Sequence, residues 1–203
     1  MSETRGIFVL ADVVDNSLDG EWVSLNDVWT SRGTSNRGYF GGGFFNPGSL
    51  SSMEKVDYLT DTTDAVPGAP LNAARYRLAA TGNSDTGYFG GGGPGFFSSI
   101  DKITYSTDSV SPTPGVTLSV PCYRLAATGN STAGYFALSR YYSGYSSGNL
   151  SSIDKITYST NTRQTLPSAG TLSIARESSA ATGNSAAGYF IGCLLYTSPS
   201  PRD

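Results

Sequence analysis

The segment from Ser139 to Asn149 has the residue types that protein binding loops use. It lies between two phrases that recur elsewhere in the chain, and it is longer than its counterparts at residues 44–45 and 96–97. Tyrosine rings give broad contact area and stack on sugars, and an arginine side chain donates hydrogen bonds to hydroxyls or to an acidic sugar. The suggested ligand is a glycan or a surface protein, and the alternative is a variable loop that binds nothing. The candidate binding residues are Arg140, Tyr141, Tyr142 and Tyr145.

The rest of the chain offers little for catalysis. It has no His, which removes imidazole-based triads and His-containing metal sites. The carboxylates Glu54, Asp101 and Asp154 recur at one repeat position, each followed by Lys, and a group copied into every unit is typical of a scaffold. The glycine run at 90–93 is not followed by Lys-Ser or Lys-Thr, so it does not predict a phosphate-binding loop. We predict a protein that is not an enzyme, with no catalytic residue, no metal site and no cofactor.

Charge and hydropathy restrict the partners. The net charge is −3 and the pI is near 4.9, so nucleic acid is not an expected partner. No apolar run approaches the roughly 18 residues that cross a bilayer, which predicts no membrane insertion. The early apolar run at 7–11 is too short for a signal-peptide core, so we expect a leaderless protein made in a cytoplasm, with Cys122 and Cys193 unbridged.

Three phrases recur at a period of about fifty residues, which is the signature of a repeat architecture. Gly-Tyr-Phe begins at Gly38, Gly87, Gly134 and Gly188. The phrase Ser-Ser-Ile-Asp-Lys-Ile-Thr-Tyr-Ser-Thr spans residues 98–107 and returns unchanged at 151–160, with a weaker copy at 51–58. Ala-Ala-Thr-Gly-Asn-Ser precedes each of the last three Gly-Tyr-Phe copies. The repeat therefore decides the fold class.

One unit contains four strand-like pieces. In the unit that begins at residue 123, the first three are a short strand at 123–127, a returning strand from Gly134 and an alternating strand at 153–159. A Gly-Asn turn at 128–131 joins the first two. A weaker segment at 171–174 is expected to make the fourth strand. We expect the Gly-Tyr-Phe aromatics to take equivalent buried positions on successive second strands, with third-strand residues filling the space between units. These residues are Tyr39, Phe40, Tyr88, Phe89, Tyr135 and Phe136 on second strands, and Ile103, Tyr105, Ile156 and Tyr158 on third strands.

Four strands in fifty residues is typical of a propeller blade, and the units resemble the kelch family of β-propellers. The matching features are an Arg-led first strand, paired glycines after the second strand and an acid on the third strand. The fourth-strand Trp of that family is missing, and Ala137-Leu138 replaces glycines in one unit. A β-solenoid is the competing repeat fold. The matching residues are Arg75, Arg124 and Arg176; Gly41–Gly43 and Gly90–Gly93; and Glu54, Asp101 and Asp154.

The resemblance implies an all-β chain, a β-propeller-like array of about three four-stranded blades that is incomplete. The arginines are expected to have a repeated hydrogen-bonding role, with a channel for acidic ligands as the alternative. The predicted domains are an N-terminal entry segment at 1–28, with a short helix from Leu10 to Leu18, and kelch-like repeats at 29–192. The units lie near 29–75, 76–123 and 124–175, with a partial unit at 176–192.

The two ends carry further resemblances. Residues 6–22 are similar to the entry segment of bacteriophage tail and virion proteins, which implies a virion protein, assembled in the host cytoplasm, that displays loops to a host surface glycan or protein. Its other partners would be virion proteins or further blades, and the alternative is a cytoplasmic kelch-like module that binds a protein. Residues 193–203 resemble a translated sequencing adapter, so we expect them to pack against nothing specific and the natural chain to continue past Gly192.

Overall fold

A computed structural model describes residues 37–142, 147–176 and 178–192. The predicted N-terminal helix at 10–18, the segment at 193–203 and Tyr145 lie outside the described residues. The strands are β1 (Arg37–Gly41), β2 (Phe44–Phe45), β3 (Gly48–Ser49), β4 (Met53–Asp57), β5 (Thr62–Ala65), β6 (Ala79–Gly82), β7 (Thr86–Gly90), β8 (Ser99–Thr104), β9 (Ser109–Thr117), β10 (Cys122–Tyr123), β11 (Ala126–Gly129), β12 (Ala133–Ala137), β13 (Arg140–Tyr142), β14 (Ser147–Asn149), β15 (Ile153–Thr157), β16 (Thr162–Thr165), β17 (Ala180–Gly183) and β18 (Gly188–Ile191), with one 3-10 turn at Ser168–Gly170.

The strands form successive antiparallel sheets with one shared plan. The second sheet is β6-β7-β8-β9 and the third is β11-β12-β15-β16, each in chain order. The first sheet, β1-β4-β5, and the fourth, β17-β18, contain part of the same plan. Register is conserved between units: Tyr39 lies opposite Lys55, Tyr88 opposite Lys102, and Tyr135 opposite Lys155. The prediction of an all-β fold is confirmed for the described residues.

The predicted fourth strand was wrong. Residues 171–174 form no strand, and the fourth strand of the third sheet is β16, which pairs with β15. Asn161 takes φ +49° in the turn after β15, so the chain reverses at once and residues 162–165 pair immediately. All four β16 residues are exposed, and such a strand lacks the apolar alternation by which strands are recognised. The first strand of that sheet also begins later than predicted, at Ala126.

The repeated Thr-Gly-Asn-Ser phrase forms the turn between the first and second strands. The Asn130 Oδ1 accepts hydrogen bonds from the backbone N–H groups of Thr132, at 2.9 Å, and Ala133, at 3.0 Å. The Asn83 and Asn184 side chains accept bonds from equivalent N–H groups, all at 2.9 Å. An Asn side chain that binds the backbone two residues on stabilises a tight reversal. The same device therefore closes three successive hairpins.

The hydrophobic core lies between neighbouring sheets. Stacked tyrosine pairs join them: the ring of Tyr39 lies 4.8 Å from that of Tyr105, and Tyr88 lies 5.0 Å from Tyr158. The predicted burial of the repeat aromatics is confirmed for Tyr88, Phe89 and Phe136, and that of the third-strand residues for Ile103, Ile156 and Tyr158. Tyr39, Tyr105 and Tyr135 are half-buried.

Phe40 departs from that prediction because 64% of its surface is exposed. At the equivalent positions, Phe89 packs with Met53 of the first sheet, and the Phe136 ring lies against Gly90 of the second sheet. The phenylalanine of each unit thus faces the preceding sheet. No described residue covers that side of the first sheet, so Phe40 stays exposed.

The repeated acids tie the linkers between sheets to the following sheet. Asp101 accepts hydrogen bonds from the backbone N–H of Asn72, at 3.1 Å, and from its side-chain amide, at 2.8 Å. Asp154 accepts a bond from the Ser119 N–H, at 2.6 Å, in the equivalent linker. Both acids are buried, whereas Glu54 of the first sheet is exposed. The acids on β8 and β15 therefore act as scaffold groups.

The predicted equivalence of Arg75, Arg124 and Arg176 was wrong for Arg124. Backbone contacts align Arg75 with Cys122: the carbonyl of Arg75 accepts a bond from the Gly43 N–H at 2.8 Å, and that of Cys122 accepts one from the Gly92 N–H at 2.9 Å. Arg124 instead matches Arg77, and both residues have positive φ, at +59° and +56°. The two arginines sit in a left-handed bend just before the first strand.

Candidate binding face

The enlarged loop forms a β-hairpin. β13 pairs with β14, and β13 also pairs with the short linker strand β10, so that Arg140 lies opposite Tyr123. Tyr142 continues β13 and pairs with Ser147 through the backbone. The Tyr141 ring lies over Gly148, where a Cβ atom would come within 3.0 Å of it. Arg140 and Tyr141 are half-buried.

Pairing with β10 brings the hairpin beside a second set of aromatic and basic residues. This set consists of the linker pairs Tyr76-Arg77 and Tyr123-Arg124, which precede β6 and β11 at equivalent positions. Tyr76 forms a bridge with Gly93, just as Tyr123 pairs with Arg140. The linkers and the loops between second and third strands therefore meet on one face of the sheets.

The linker residues form a continuous arrangement that we call the arginine–aromatic ladder. The Arg77 guanidinium carbon lies 5.3 Å from the ring centre of Tyr76 and 5.8 Å from that of Tyr123. The Arg124 guanidinium carbon lies 5.5 Å from the same Tyr123 ring. Cations within about 6 Å of a ring centre are attracted by its negative face. The ladder comprises Phe44, Tyr76, Arg77, Phe96, Tyr123 and Arg124.

At each end of the ladder, a phenylalanine from a loop packs edge-on against a linker tyrosine. Phe44 lies 5.5 Å from Tyr76, and Phe96 lies 5.0 Å from Tyr123, both in T-shaped geometry. Phe44 and its neighbour Phe45 are exposed, at 61% and 73%. Exposed rings next to guanidinium groups suit a ligand that presents both apolar ring surfaces and hydrogen-bond acceptors.

An open depression lies where the linkers enter the first strands. Its volume is about 430 Å³. Arg77, Arg124 and Ser178 occupy equivalent positions in three successive units, and all three have positive φ. The lining residues are Arg77, Leu78, Arg124, Leu125, Ser178 and Ser179.

The described residues outside this face offer neither a reactive thiol nor a metal-binding group. Burial raises the pKa of the Cys122 thiol to about 12, which makes it a poor nucleophile near neutral pH. Within residues 37–142, 147–176 and 178–192, no group of His, Cys, Asp and Glu side chains is arranged to hold a metal ion. The chemistry that the face offers is therefore stacking and hydrogen-bond donation.

The sequence predicted Arg140, Tyr141 and Tyr142, which all lie on β13, but not the ladder beside them. The signal was visible in the repeated Tyr-Arg-Leu-Ala-Ala at 76–80 and 123–127. Aligning Arg124 with Arg75 hid this repeat, because that alignment places Tyr123 opposite Ala74 and not opposite Tyr76.

Comparison with protein-family models and with curated proteins finds no match to this chain. In the part of the chain that the structure describes, no helix has the length and apolar character needed to span a membrane.

Proposed function

We propose that this chain is a non-enzymatic binding module and that its arginine–aromatic ladder recognises an acidic glycan. The observation that carries the proposal is the stack of Arg77 and Arg124 against Tyr76 and Tyr123 beside the hairpin with Arg140. Sugar rings present C–H faces that pack on aromatic rings, and their hydroxyl and carboxylate oxygens accept bonds from guanidinium groups.

The repeated placement of the two arginines supports an extended ligand. Arg77 and Arg124 belong to neighbouring units and flank one depression of about 430 Å³. A ligand with carboxylates on successive sugars can pair with both arginines. The net charge of the chain is −3, but the ladder itself carries only basic and aromatic side chains. Arg140 and Tyr141, on the neighbouring hairpin, would extend the contact area.

We also propose that the four sheets are blades of an incomplete kelch-like β-propeller. Contacts between neighbouring sheets concentrate at their first strands, since β11 lies within 8 Å of both β6 and β17. Sheets that converge at their first strands are the expected geometry of blades around an axis, and the second and third sheets each have the four strands in meander order that a blade requires. The depression lined by Arg77, Arg124 and Ser178 would then lie at the entrance of the central channel.

Within this proposal the protein is a structural component of a phage particle, of the tail-fibre type, and the glycan belongs to the host surface. The sequence of residues 6–22 and the Tyr-, Ser- and Gly-rich hairpin support it. Antibodies raised against residues 37–192 should label purified particles from a source that encodes the chain. Labelling confined to the cytoplasm, with a cellular protein bound, would favour an intracellular kelch-like module instead.

The binding proposal is tested on an array of neutral and acidic glycans with the full chain. Arg77→Ser and Arg124→Ser are suitable variants, because Ser178 occupies the equivalent position with φ +55° and shows that the backbone accepts serine there. Each variant should lower affinity for acidic glycans by about tenfold, the effect of losing a charged hydrogen bond. Arg37→Ser, on strand β1, is the matched control, because the Arg37 side chain is exposed and its ion pair with Asp57 lies at the surface, and it should bind as the unchanged chain does. Equal binding of neutral and acidic glycans, or no binding at all, would overturn the proposal.

A further inference from the structure

A lysine–carboxylate contact joins the first and second sheets. The Lys55 ammonium donates to Asp108 Oδ2 at 2.6 Å, and the Tyr39 hydroxyl donates to Asp108 Oδ1, also at 2.6 Å. Lys55 and Tyr39 lie opposite each other on β4 and β1, and Asp108 belongs to the turn between β8 and β9. The second sheet thus supplies a carboxylate to the lysine of the first sheet.

The interface between the second and third sheets keeps the lysine and the tyrosine but not the carboxylate. Lys102 lies opposite Tyr88 on β8 and β7, in the register of the first sheet. Asn161 takes the place of Asp108: each directly precedes a fourth strand, with φ +49° and +48°. The Tyr88 hydroxyl donates to the Asn161 Oδ1 at 2.8 Å. A neutral amide therefore lies where the preceding interface has a charged group.

This replacement leaves Lys102 without a counter-charge. Among the described residues, the Lys102 ammonium has no ion-pair partner and forms no hydrogen bond, and it lies 5.6 Å from the centre of the Tyr88 ring. The side chain is half-buried. A cation that is partly withdrawn from water is stabilised by an anion placed beside it. The position that Asp108 fills in one interface is therefore open to an external anion in the next.

Lys102 lines a cavity of about 340 Å³ between the second and third sheets. Its walls come from the turns between first and second strands and from the residues that follow β15. Both sheets have their four paired strands, so the cavity is bounded by complete units. It lies at the opposite end of the sheets from the arginine–aromatic ladder, because successive connections of an antiparallel meander alternate between the two ends. The lining residues are Asn83, Asp85, Thr86, Lys102, Ser131, Thr132, Tyr158 and Ser159.

The lining of this cavity suits one kind of anion. The charged side chains in it are Lys102 and Asp85. The Asp85 carboxylate disfavours a doubly charged anion nearby, but it accepts hydrogen bonds from hydroxyl groups. Its Oδ1 accepts a bond from the Ser84 hydroxyl at 3.2 Å, which leaves Oδ2 for a ligand. The hydroxyls of Ser131 and Ser159 both donate and accept. The cavity is therefore suited to a monoanion that carries several hydroxyl groups.

We propose that this cavity binds a small hydroxylated carboxylate of the uronic-acid class. The ligand carboxylate pairs with Lys102, in the position that Asp108 occupies beside Lys55, and the ligand hydroxyls donate to Asp85. The site lies apart from the arginine–aromatic ladder, so its occupancy does not depend on the function proposed for that face.

The probe is sodium glucuronate, titrated into the isotope-labelled full chain and followed by the NMR shifts of backbone amides. Saturable shifts are expected in residues 83–86, 131–132 and 158–159. The amides of residues 76–77 and 123–124 report separately on the ladder, so failure of either site is seen independently of the other. Glucose has no carboxylate and should bind at least about tenfold more weakly, because it lacks the charged pair.

Two substitutions test the assigned roles. Lys102→Met removes the charge but keeps an unbranched side chain beside the Tyr88 ring, and it should weaken glucuronate binding by about tenfold. Asn161→Asp supplies the carboxylate from the protein itself and should weaken binding at least as much. Asp108, with φ +48°, shows that this turn accepts aspartate. Lys55→Met is the matched control, because it makes the same change at the preceding interface, and it should leave the affinity unchanged.

The outcomes separate this site from unspecific attraction of anions. If Lys102→Met fails to fold, Asn161→Asp still tests the site, because it adds a counter-charge and removes none. Unchanged binding by Asn161→Asp, equal binding of glucose, or shifts confined to the ladder would overturn the proposal. Inorganic phosphate that binds the cavity as tightly as glucuronate would overturn the assigned ligand class.

Discussion

Arg75 and Asp101 form an ion pair, Nη2 to Oδ2 at 3.3 Å, in which each side chain has only 1% of its surface exposed. Arg75 belongs to the linker that leaves the first sheet, and Asp101 belongs to β8 in the second sheet. Burial lowers the pKa of the Arg75 guanidinium, and the Asp101 charge opposes that change. Further bonds to Gly91, Ser99 and the ring of Phe97 complete the environment of the cation. The pair therefore fixes a linker on the sheet that follows it.

Replacing Asp101 should be strongly destabilising. Asp101→Ala leaves the Arg75 cation buried without its counter-charge, and it also removes the acceptor for Asn72, so the free energy of unfolding should fall by about 3–5 kcal/mol. Urea denaturation followed by tyrosine fluorescence measures this change. Asp64→Ala, on the exposed strand β5, is the control and should change stability by less than about 0.5 kcal/mol. Similar small effects of both variants would show that the buried pair contributes little.

The linker that precedes the third sheet has no arginine equivalent to Arg75. Cys122 stands where Arg75 stands in the preceding linker, and Leu138 replaces Gly91, the residue whose carbonyl binds the guanidinium. Cys122 and Leu138 are both buried in one hydrophobic cluster. Asp154 keeps its bond to the linker N–H of Ser119 and gains one from Thr165, at 2.7 Å. An apolar contact thus takes the place of the linker arginine, and the ionic partner of Asp154 is instead Arg163 of β16, at 3.8 Å.

The asparagine turns should contribute measurably to stability. Asn130→Ala removes an acceptor of three hydrogen bonds, from Thr132 N–H, Thr132 hydroxyl and Ala133 N–H. A loss of about 1–2 kcal/mol is expected, because three hydrogen bonds that hold the turn are lost and the net contribution of such a bond is about 0.5–1.5 kcal/mol. Asn130→Asp retains an acceptor oxygen and should lose less than half as much. Thermal unfolding followed by circular dichroism compares the two variants, and equal losses would contradict the role assigned to the oxygen.

The sequence predicted the repeat, the all-β class and most of the buried aromatics, because Gly-Tyr-Phe recurs at a period of about fifty residues and residues 153–159 alternate with the period of a half-buried strand. It missed β16, whose residues are all exposed and so leave no apolar pattern. It missed the ladder as well, because Tyr76 and Tyr123 lie on linkers whose pairing with Gly93 and Arg140 depends on tertiary contacts.

Stability should fall in alkaline solution. Burial raises the pKa of Tyr39, Tyr105 and Tyr158 from the ordinary 10.0 to about 12, and that of Cys122 from 9.0 to about 12. Between these values the unfolded chain releases protons that the folded chain retains. Cys122, Tyr105 and Tyr158 then each lower the free energy of unfolding by up to about 1.4 kcal/mol per pH unit as the pH rises, and Tyr39, which lies closer to solvent, contributes less.

Urea denaturation at several pH values tests this expectation. These groups should leave stability unaffected below pH 9, and a decline should begin there and steepen above pH 10. Cys122→Ala removes the group that titrates first, so its decline should begin about one pH unit later than in the unchanged chain. A flat profile from pH 8 to 11 would contradict the burial of these groups in the folded chain.

Gly91 should be among the least replaceable glycines of the second sheet. Its φ is +72°, and an added Cβ would lie 2.9 Å from the Cys122 carbonyl oxygen and 2.8 Å from the Leu125 Cδ2. Gly91→Ala therefore combines left-handed strain with a backbone clash between the second and third sheets, so it should lower the free energy of unfolding by about 2–4 kcal/mol. Gly68→Ala is the matched control, because no heavy atom lies within 4 Å of its added Cβ, and it should change stability by less than about 0.5 kcal/mol. Urea midpoints of the two variants measure the difference, and a Gly91 variant as stable as the Gly68 variant would show that the interface between the sheets yields without cost.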